Sequence, residues 1–211
     1  MTVTCQSVLP HDSNRASFSQ RVAIVIPAFN EAAHLHALIA RCRAVRPAAI
    51  LVVDDTSTDA TPVVLARAAE PRVGEAPLAV LRNRTNLGKQ GSVRRALRAL
   101  RGVNVDAVAL IDGDGQHDPA ELPALASLLD GGFDLVIGAR SREQMPLQRQ
   151  LSNWLVNLGF RWLAGVDFVD VQSGLRIYHK ALADVLAERL PAAGGYALEH
   201  ESLSVLACHA Q

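Results

Sequence analysis

Short runs of β-branched and aliphatic residues recur along this 211-residue chain, and segments with helical character lie between them. Strands that alternate with helices are typical of units in which neighbouring strands run parallel and helices cover both faces of the sheet. The sequence therefore predicts an α/β fold with a mostly parallel sheet. The strand candidates are "VAIVIP" at 22–27, "AILVVDD" at 49–55, "LAVLRN" at 78–83, "VDAVALI" at 105–111 and "DLVIGAR" at 134–140.

Helix signals occupy the stretches between these runs. Thr61 followed by Pro62 matches an N-cap with proline in the first helical position, and Asp118 with Glu121 is similar to a capping box. An apolar stripe at helical spacing covers residues 89–101, with arginines on the opposite face. We therefore expect helices to begin near residues 62 and 119, and a third to span about 89–101.

Composition limits the class of protein. With 49% hydrophobic residues the chain can build one sizeable core, so we predict a single domain over 21–211 after a flexible leader at 1–20. Basic and acidic residues number 21 each, which gives no indication of a nucleic acid partner. No run approaches the ~20 apolar residues of a membrane span. Cys5, Cys42 and Cys208 lie too far apart for a disulfide framework or a zinc cluster, which favours a cytoplasmic protein.

An acidic segment, "DGDGQHD" at 112–118, follows directly after a predicted buried strand. Ligands of open α/β sheets bind at the carboxyl ends of strands. In an extended segment Asp112, Asp114 and Gln116 would point the same way. Two carboxylates so close repel unless a cation lies between them, and hard oxygen ligands select Mg²⁺ or Mn²⁺. These three residues are therefore the predicted metal ligands, whereas Asp118 is expected only to cap the next helix.

The segment "NLGKQG" at 86–91 has features of a phosphate site. Gly88 permits close backbone approach, Lys89 adds positive charge, and the amides at a helix start favour anions. A metal ion with few protein ligands usually shares its shell with substrate phosphates, which indicates a nucleotide. The same glycine and lysine also suit a simple loop-to-helix turn. Neither GxxxxGKS/T nor GxGxxG occurs, so a P-loop ATPase and a dinucleotide-binding dehydrogenase lack their main support.

Together these segments resemble family 2 glycosyltransferases of GT-A fold, and are similar to dolichyl-phosphate mannosyltransferase and other polyprenyl-phosphate sugar transferases. The resemblance runs in order from about residue 21 to 203. It implies the GT-A nucleotide-diphospho-sugar transferase fold, with a Rossmann-like sheet. The segments that carry it are "VAIVIPAFNEAAHL", "VVDDTSTDAT", "NLGKQGSVRRAL", "LIDGDGQHDP", "DLVIGAR" and "DVQSGLRIYHKALADVL".

The resemblance also implies roles for individual residues. Lys89 and Asp112 would face the diphosphate of the nucleotide. Asp114 would act at the catalytic centre, and Arg140 with Arg176 would contact the phosphate of the acceptor or the donor. Glu201 matches the acidic position near the acceptor. The base and ribose of the nucleotide would lie against Pro27, Phe29, Glu31, Asp54 and Asp55.

By the same resemblance the protein is a metal-dependent, inverting hexosyltransferase. It would move a mannose- or glucose-type sugar from a GDP- or UDP-sugar to a polyprenyl phosphate at the membrane surface. An acceptor phosphate is already anionic, so correct positioning would dominate the catalysis. We accordingly expect a protein that is cytoplasmic or peripheral at the inner face of the membrane, with a separate protein as a membrane anchor.

Three other functions stay open. A hydroxyl acceptor would need a general base, for which Glu199 and Glu201 are candidates. A nucleotide-sugar-binding module without turnover is a second alternative. A nucleotidyltransferase is a third, although "PAFNE" at 27–31 replaces its glycine-rich loop.

Two features depart from the family pattern. Thr56 replaces the usual glycine of "DDGS", and threonine disfavours positive φ. The sequence also ends at Gln211, just after "EHES", where relatives continue, so we expect a domain shortened at its C-terminus.

Overall fold

A computed structural model describes residues 2–6, 21–139 and 173–192. Seven strands and five α-helices lie in these ranges. The strands are β1 (Thr2–Gln6), β2 (Val22–Ala28), β3 (Ala49–Asp54), β4 (Leu78–Arg82), β5 (Ala107–Leu110), β6 (Leu135–Ala139) and β7 (Arg176–His179). The helices are α1 (Ala32–Ala44), α2 (Thr61–Ala68), α3 (Gly88–Ala99), α4 (Leu122–Leu129) and α5 (Lys180–Arg189), and a 3₁₀ turn (Pro119–Glu121) precedes α4.

The described strands form one sheet in the order β1-β6-β7-β5-β2-β3-β4. β4, β3, β2 and β5 are parallel neighbours, whereas β7 pairs antiparallel with both β5 and β6. The predicted α/β class and mostly parallel sheet are confirmed. The sequence did not reveal β7, nor β1, which pairs antiparallel with β6 although its residues fall within the predicted leader.

Helices cover both faces of the sheet. Alternate residues of β2 enter different clusters: Ala23 and Val25 pack on the side of α3 and α5, while Ile24 and Ile26 pack on the side of α1, α2 and α4. All four side chains are fully buried. Burial of an isoleucine side chain contributes about 1.5–3 kcal/mol to the stability of the folded protein. Because helices cover both faces of the sheet, the central strands need apolar residues at consecutive positions. This requirement explains why they were visible in the sequence.

The helices begin within a few residues of the predicted positions, but the predicted N-cap at Thr61 is wrong, because the N-cap of α2 is Ala60 and Thr61 is its first helical residue. α2 begins at Thr61 with Pro62 in its first turn, and α3 begins at Gly88, one residue before the predicted position. The carboxylate of Asp118 accepts a hydrogen bond from the backbone N–H of Ala120 and caps the 3₁₀ turn before α4. In the described ranges, no helix has the length and apolar character needed to cross a membrane.

Candidate active site

A cavity of about 670 Å³ opens where the carboxyl ends of β2, β3 and β5 meet the N-terminus of α3. This is the edge at which open α/β sheets bind ligands, because the loops after parallel strands converge there. The cavity is lined by Pro27, Ala28, Phe29, Glu31, Asp55, Asn86, Leu87, Gly88, Lys89, Ser92, Asp112, Gly113 and Asp114.

Most of the predicted site residues meet at this cavity. Those on its wall are Pro27, Phe29, Glu31, Asp55, Lys89, Asp112 and Asp114. Asp54, Gln116 and Arg176 do not line it. Arg140 and Glu201 lie outside the described residues. The structure therefore brings together most of the residues predicted for the nucleotide and two of the three predicted for the metal.

The adjacent aspartates at the end of β3 have different environments. The Asp54 carboxylate accepts a hydrogen bond from the Ser57 backbone N–H at 2.9 Å, and its Oδ2 lies 3.5 Å from Arg82 Nε. Asp54 is only 1% exposed, so it shapes the turn after the strand. Asp55 lines the cavity instead. The sequence could not separate them, because both follow the same apolar run.

Two loops on one side of the cavity are held together by hydrogen bonds. The backbone N–H of Asn30 donates to Ser57 Oγ at 3.0 Å, and Asn30 Oδ1 accepts from the Thr58 N–H at 2.8 Å. The Glu31 N–H donates to Thr61 Oγ1 at 2.9 Å. Side chains from α2 and its preceding loop thus satisfy backbone donors of the loop after β2. The two loops are fixed to each other at one end of the cavity. We call Phe29, Asp55 and these loops the aromatic end of the cavity.

Thr56 adopts the conformation that its residue type disfavours. Its φ is 66°, in the left-handed region, as is that of Asn30 at 58°. Left-handed backbone costs an L-residue roughly 1–2 kcal/mol, and a β-branched side chain is poorly suited to it. Threonine opposes positive φ, but the fold imposes it at this position. Backbone strain is therefore stored beside Asp55.

Charged side chains occupy the other end of the cavity. Lys89 Nζ lies 2.7 Å from Asp112 Oδ1, with both side chains about one-quarter exposed. Burial raises the pKa of Glu31, as do the nearby charges of Asp114 and Asp112, while His34 acts in the opposite direction. We call Glu31, Lys89, Asp112 and Asp114 the carboxylate end of the cavity. Its acidic groups repel one another, so positive charge would stabilise it.

Gly174 allows the Asp112 carboxylate to pack close to the backbone before β7. A Cβ atom placed on Gly174 would lie 2.0 Å from Asp112 Oδ2, so the carboxylate would have to shift to accommodate any other residue. The two residues are 62 positions apart, and no spacing pattern links them. Gly174 was therefore not predictable as a site residue, although its segment carries part of the family resemblance.

The extended course assumed for the acidic segment is wrong beyond Asp112. The backbone turns at residues 113–115, Gly115 has a φ of 72°, and Asp114 Oδ1 accepts the Gln116 N–H at 3.0 Å. Gln116 is consequently exposed and does not reach the cavity wall. The guanidinium of Arg41 supports this turn by donating to the carbonyls of Gly115 and His117, at 3.3 and 2.9 Å. Arg41 lies on α1, where nothing in the sequence distinguished it from other surface arginines.

Arg176 is buried within the sheet. It is 2% exposed, its Nε donates to the Ser173 carbonyl at 3.0 Å, and it pairs in register with Leu110 of β5. Leu110 immediately precedes the segment that carries Asp112. Arg176 does not line the cavity, and its predicted contact with a substrate phosphate stays a prediction.

The donor set at the carboxylate end suits a hard divalent cation. Asp112 and Asp114 offer carboxylate oxygens at the cavity surface, which match Mg²⁺ or Mn²⁺ better than Zn²⁺. Burial is the main cause of the raised pKa of Glu31, and the neighbouring carboxylates of Asp114, Asp59 and Asp112 raise it further. Among the residues that the structure describes, no group of three or more His, Cys, Asp or Glu is placed to hold a metal ion.

Comparison with solved structures supports the fold. Glucosyl-3-phosphoglycerate synthase from Mycobacterium tuberculosis superposes with a TM-score of 0.64 and 23% identity, over 88% of this chain and 65% of that one. The same enzyme in complex with Mn²⁺, uridine diphosphate and glucosyl-3-phosphoglycerate gives a TM-score of 0.65 at 23% identity, over 88% of this chain and 64% of that one.

Sequence comparison identifies the family. Undecaprenyl-phosphate 4-deoxy-4-formamido-L-arabinose transferase from Pseudomonas aeruginosa (strain LESB58) is 34% identical over 170 residues, which cover 78% of this chain and 49% of that protein. Its Serratia proteamaculans (strain 568) counterpart is 30% identical over 172 residues, with coverage of 79% and 51%. The chain thus spans about half the length of these relatives. Residues 23–184 match the sequence model of glycosyl transferase family 2, and the chain belongs to that family.

Proposed function

We propose that this chain transfers a sugar from a nucleoside diphosphate sugar to a polyprenyl phosphate. One observation carries the proposal: a single cavity joins an exposed aromatic ring, a lysine at a helix N-terminus and two aspartates. The aromatic ring matches the base of such a donor, the lysine matches its diphosphate, and the two aspartates match its cation. The names of the Pseudomonas and Serratia relatives, which specify undecaprenyl phosphate, support a lipid phosphate as acceptor.

The nucleoside would bind at the aromatic end of the cavity. Phe29 is 47% exposed there, although large apolar side chains are usually covered, and its ring offers a surface on which a base can stack. Pro27 and Asp55 complete this wall. The donor would be a UDP- or GDP-sugar, and the uridine diphosphate in the Mycobacterium tuberculosis complex supports the former.

The diphosphate would lie between α3 and the carboxylate end. Lys89 supplies a positive charge, and the first backbone N–H groups of α3 point their positive dipole toward an anion. Asp112 and Asp114 would hold Mg²⁺ or Mn²⁺. When bound, that ion neutralises charge on the departing nucleoside diphosphate, a contribution of several kcal/mol. By holding this ion, the aspartates would also keep the diphosphate in position for transfer of the sugar.

The reaction would be a single displacement. An anionic oxygen of the acceptor phosphate forms the new bond to the anomeric carbon as the bond from that carbon to the nucleoside diphosphate breaks. The bonding electrons leave with the diphosphate, so the configuration inverts. The acceptor carries its own negative charge and no protein base is required. Arg140 and Arg176 are the proposed contacts to its phosphate, and Glu201 the proposed acidic group beside it.

A second candidate, transfer to a hydroxyl of a small molecule or glycan, is favoured by the fold match to glucosyl-3-phosphoglycerate synthase. This reaction needs a general base, for which Glu201 is the proposed group. It would not depend on a membrane surface. In the leading proposal, by contrast, the protein would work at the inner face of the membrane beside an anchoring protein.

A transfer assay separates these candidates. The protein is incubated with undecaprenyl phosphate in detergent, Mn²⁺ and radiolabelled donors of glucose, mannose or 4-deoxy-4-formamido-L-arabinose. Label that moves into the organic phase with one donor supports the leading proposal and identifies the sugar. Nucleoside diphosphate release only on addition of hydroxyl acceptors such as phosphoglycerate would favour the second candidate. Release in neither case, despite nucleotide binding, would indicate a binding module.

A further inference from the structure

Asn83 lies directly behind the cavity wall, at the end of β4. It is 4% exposed and does not line the cavity. Its Nδ2 donates to Asp55 Oδ1 at 2.7 Å and to Ser92 Oγ at 2.9 Å, and both of these residues do line the cavity. A buried side chain amide thus connects the loop after β3 with the first turns of α3.

The orientation of the Asn83 amide is fixed by its partners. A carboxylate only accepts hydrogen bonds and a guanidinium only donates them. The NH₂ group must therefore face Asp55, and the oxygen must face Arg95, whose Nη1 lies 2.5 Å from it. Arg95 Nη1 also donates to the Arg82 carbonyl at 2.7 Å. Aspartate has nearly the same shape as asparagine, but at position 83 it would set two carboxylates against each other.

This arrangement determines which oxygen of Asp55 is available to a ligand. Oδ1 accepts from Asn83 Nδ2 and also from the Leu87 backbone N–H at 2.8 Å. Among the described residues, every side-chain hydrogen bond of Asp55 falls on Oδ1. The carboxylate is therefore held at one oxygen, and its Oδ2 is left for a donor group in the cavity. Leu87 is two residues from Lys89, so the same carboxylate also fixes the loop that leads to the diphosphate position.

We propose that Asn83 is a positioning residue for nucleoside recognition. It holds the Asp55 carboxylate so that Oδ2 accepts a hydrogen bond from the nucleoside of the donor, and Arg95 in turn holds Asn83. This inference rests on the proposed function, since it requires a nucleotide in the cavity. Asn83 itself touches no substrate, so its loss should weaken recognition of the nucleoside more than recognition of the phosphates.

The experiment compares two ligands on a set of variants. Isothermal titration with Mn²⁺ gives the Kd of pyrophosphate and of UDP or GDP, whichever stabilises the wild-type protein more. The variants are Asn83→Asp, Asn83→Ala and Arg95→Met, and circular dichroism identifies a temperature at which each is folded. Leu129→Ala is the control, because Leu129 is a buried core residue of α4 away from the cavity wall and its loss lowers stability alone.

Asn83→Asp is expected to weaken nucleotide binding by ~10–100-fold, the loss typical of a hydrogen bond to a charged group, and to change pyrophosphate binding by less than about threefold. Asn83→Ala should show the same split. Arg95→Met, which alters only the far side of the network and keeps the protein folded, should weaken nucleotide binding by roughly threefold. Leu129→Ala should lower Tm without changing either Kd.

Two results would overturn the inference while the proposed function stands. One is wild-type binding of nucleotide with no effect of the Asn83 and Arg95 substitutions. The other is an equal loss for nucleotide and pyrophosphate, which would show a general disturbance of the loop. If the wild-type protein binds neither ligand, the proposed function fails, and the inference fails with it.

Discussion

The two ends of the cavity are built differently. At the aromatic end, Asp55 and the loops around it are fixed by hydrogen bonds to Asn83, Leu87 and side chains of the α2 region. At the carboxylate end, one ion pair between Lys89 and Asp112 sits among acidic groups that repel each other. The first end is complete without a ligand. The second has excess negative charge that a bound cation would balance.

This difference indicates how each end should respond to change. Substitutions at the aromatic end should alter the fit of the nucleoside, since hydrogen bonds already fix the geometry of this end. Substitutions at the carboxylate end should alter how strongly cation binding and phosphate binding depend on each other, since the charged groups there interact directly. The predictions below test this contrast, beginning with the largest expected effect.

Asp112→Asn should abolish most of the activity. Removal of this charge takes away a proposed cation ligand and the partner of Lys89, and loss of transition-state charge stabilisation of this kind costs about 10²–10³-fold in rate. The measurement is the rate of nucleoside diphosphate release with saturating donor and acceptor. Thermal unfolding of the same sample provides the folding control. A variant with more than one-tenth of wild-type activity would contradict the proposed role.

Gly174→Ala should disturb the carboxylate end through a steric clash. The new Cβ would meet Asp112 Oδ2 at 2.0 Å, so the carboxylate must move. We expect Mn²⁺-dependent nucleotide affinity to fall by ~10-fold, in line with small misplacements at binding sites. A double-mutant cycle with Asp112→Ala supplies the control, because the cost of Gly174→Ala should disappear once the carboxylate is gone. An unchanged cost would locate the clash elsewhere.

Lys89→Met should separate cation binding from nucleotide binding. An ammonium group 2.7 Å from Asp112 Oδ1 competes with a divalent ion for the same oxygen. Without nucleotide, the variant should bind Mn²⁺ several-fold more tightly, roughly 10-fold at low salt, while its affinity for UDP or GDP decreases. Mn²⁺ binding is followed by electron paramagnetic resonance.

The chain contains only one other lysine, and it supplies the control for this prediction. Lys180 forms a 2.6 Å ion pair with Asp184 on α5, so Lys180→Met removes a comparable pair away from the cavity. It should leave both affinities unchanged. Equal Mn²⁺ binding by Lys89→Met and the wild-type protein would show that the ion pair does not restrain the carboxylate end.

Thr56→Gly should stabilise the protein. Glycine accepts a φ of 66° without strain. The free energy gained by relief of this strain exceeds the cost of glycine's greater conformational entropy in the unfolded chain by up to about 1 kcal/mol. Urea denaturation gives the difference. Thr58 lies in the same loop but does not have a positive φ, so Thr58→Gly should instead lower the stability of the protein. If both variants lose stability alike, the strain at Thr56 is negligible.

Glu31→Gln should give the smallest effect, and its sign depends on pH. The folded-state pKa of Glu31 is raised above its ordinary value of 4.5, so ionised Glu31 destabilises the folded protein. This cost is absent below the unfolded-state pKa and grows as pH rises through the folded-state pKa. The variant should therefore melt about 1 °C higher than wild type at pH 7, with no difference at pH 4. A difference that is larger at pH 4 would contradict the assignment.

The sequence predicted the parts of the site that depend on strand ends. Asp55 and Asp112 follow apolar runs, and parallel strands bring such positions to one edge. Local turns were not predictable in this way, because Gln116 leaves the cavity through a bend set by Gly115 and a side-chain hydrogen bond. Contacts between distant positions, such as Gly174 with Asp112, follow only from the packing of β7 against β5.

The measurement that most directly tests the account is a thermal-shift panel of GDP, UDP, ADP and CMP, each with and without Mn²⁺, on the wild-type protein and Asp114→Asn. A ligand that binds only the folded state raises Tm by mass action. We predict that UDP or GDP stabilises the wild-type protein strongly with Mn²⁺ and weakly without it, and that Asp114→Asn loses this dependence on Mn²⁺. A panel in which no nucleotide changes Tm, or in which the Asp114 variant responds like the wild type, would contradict the proposed donor site.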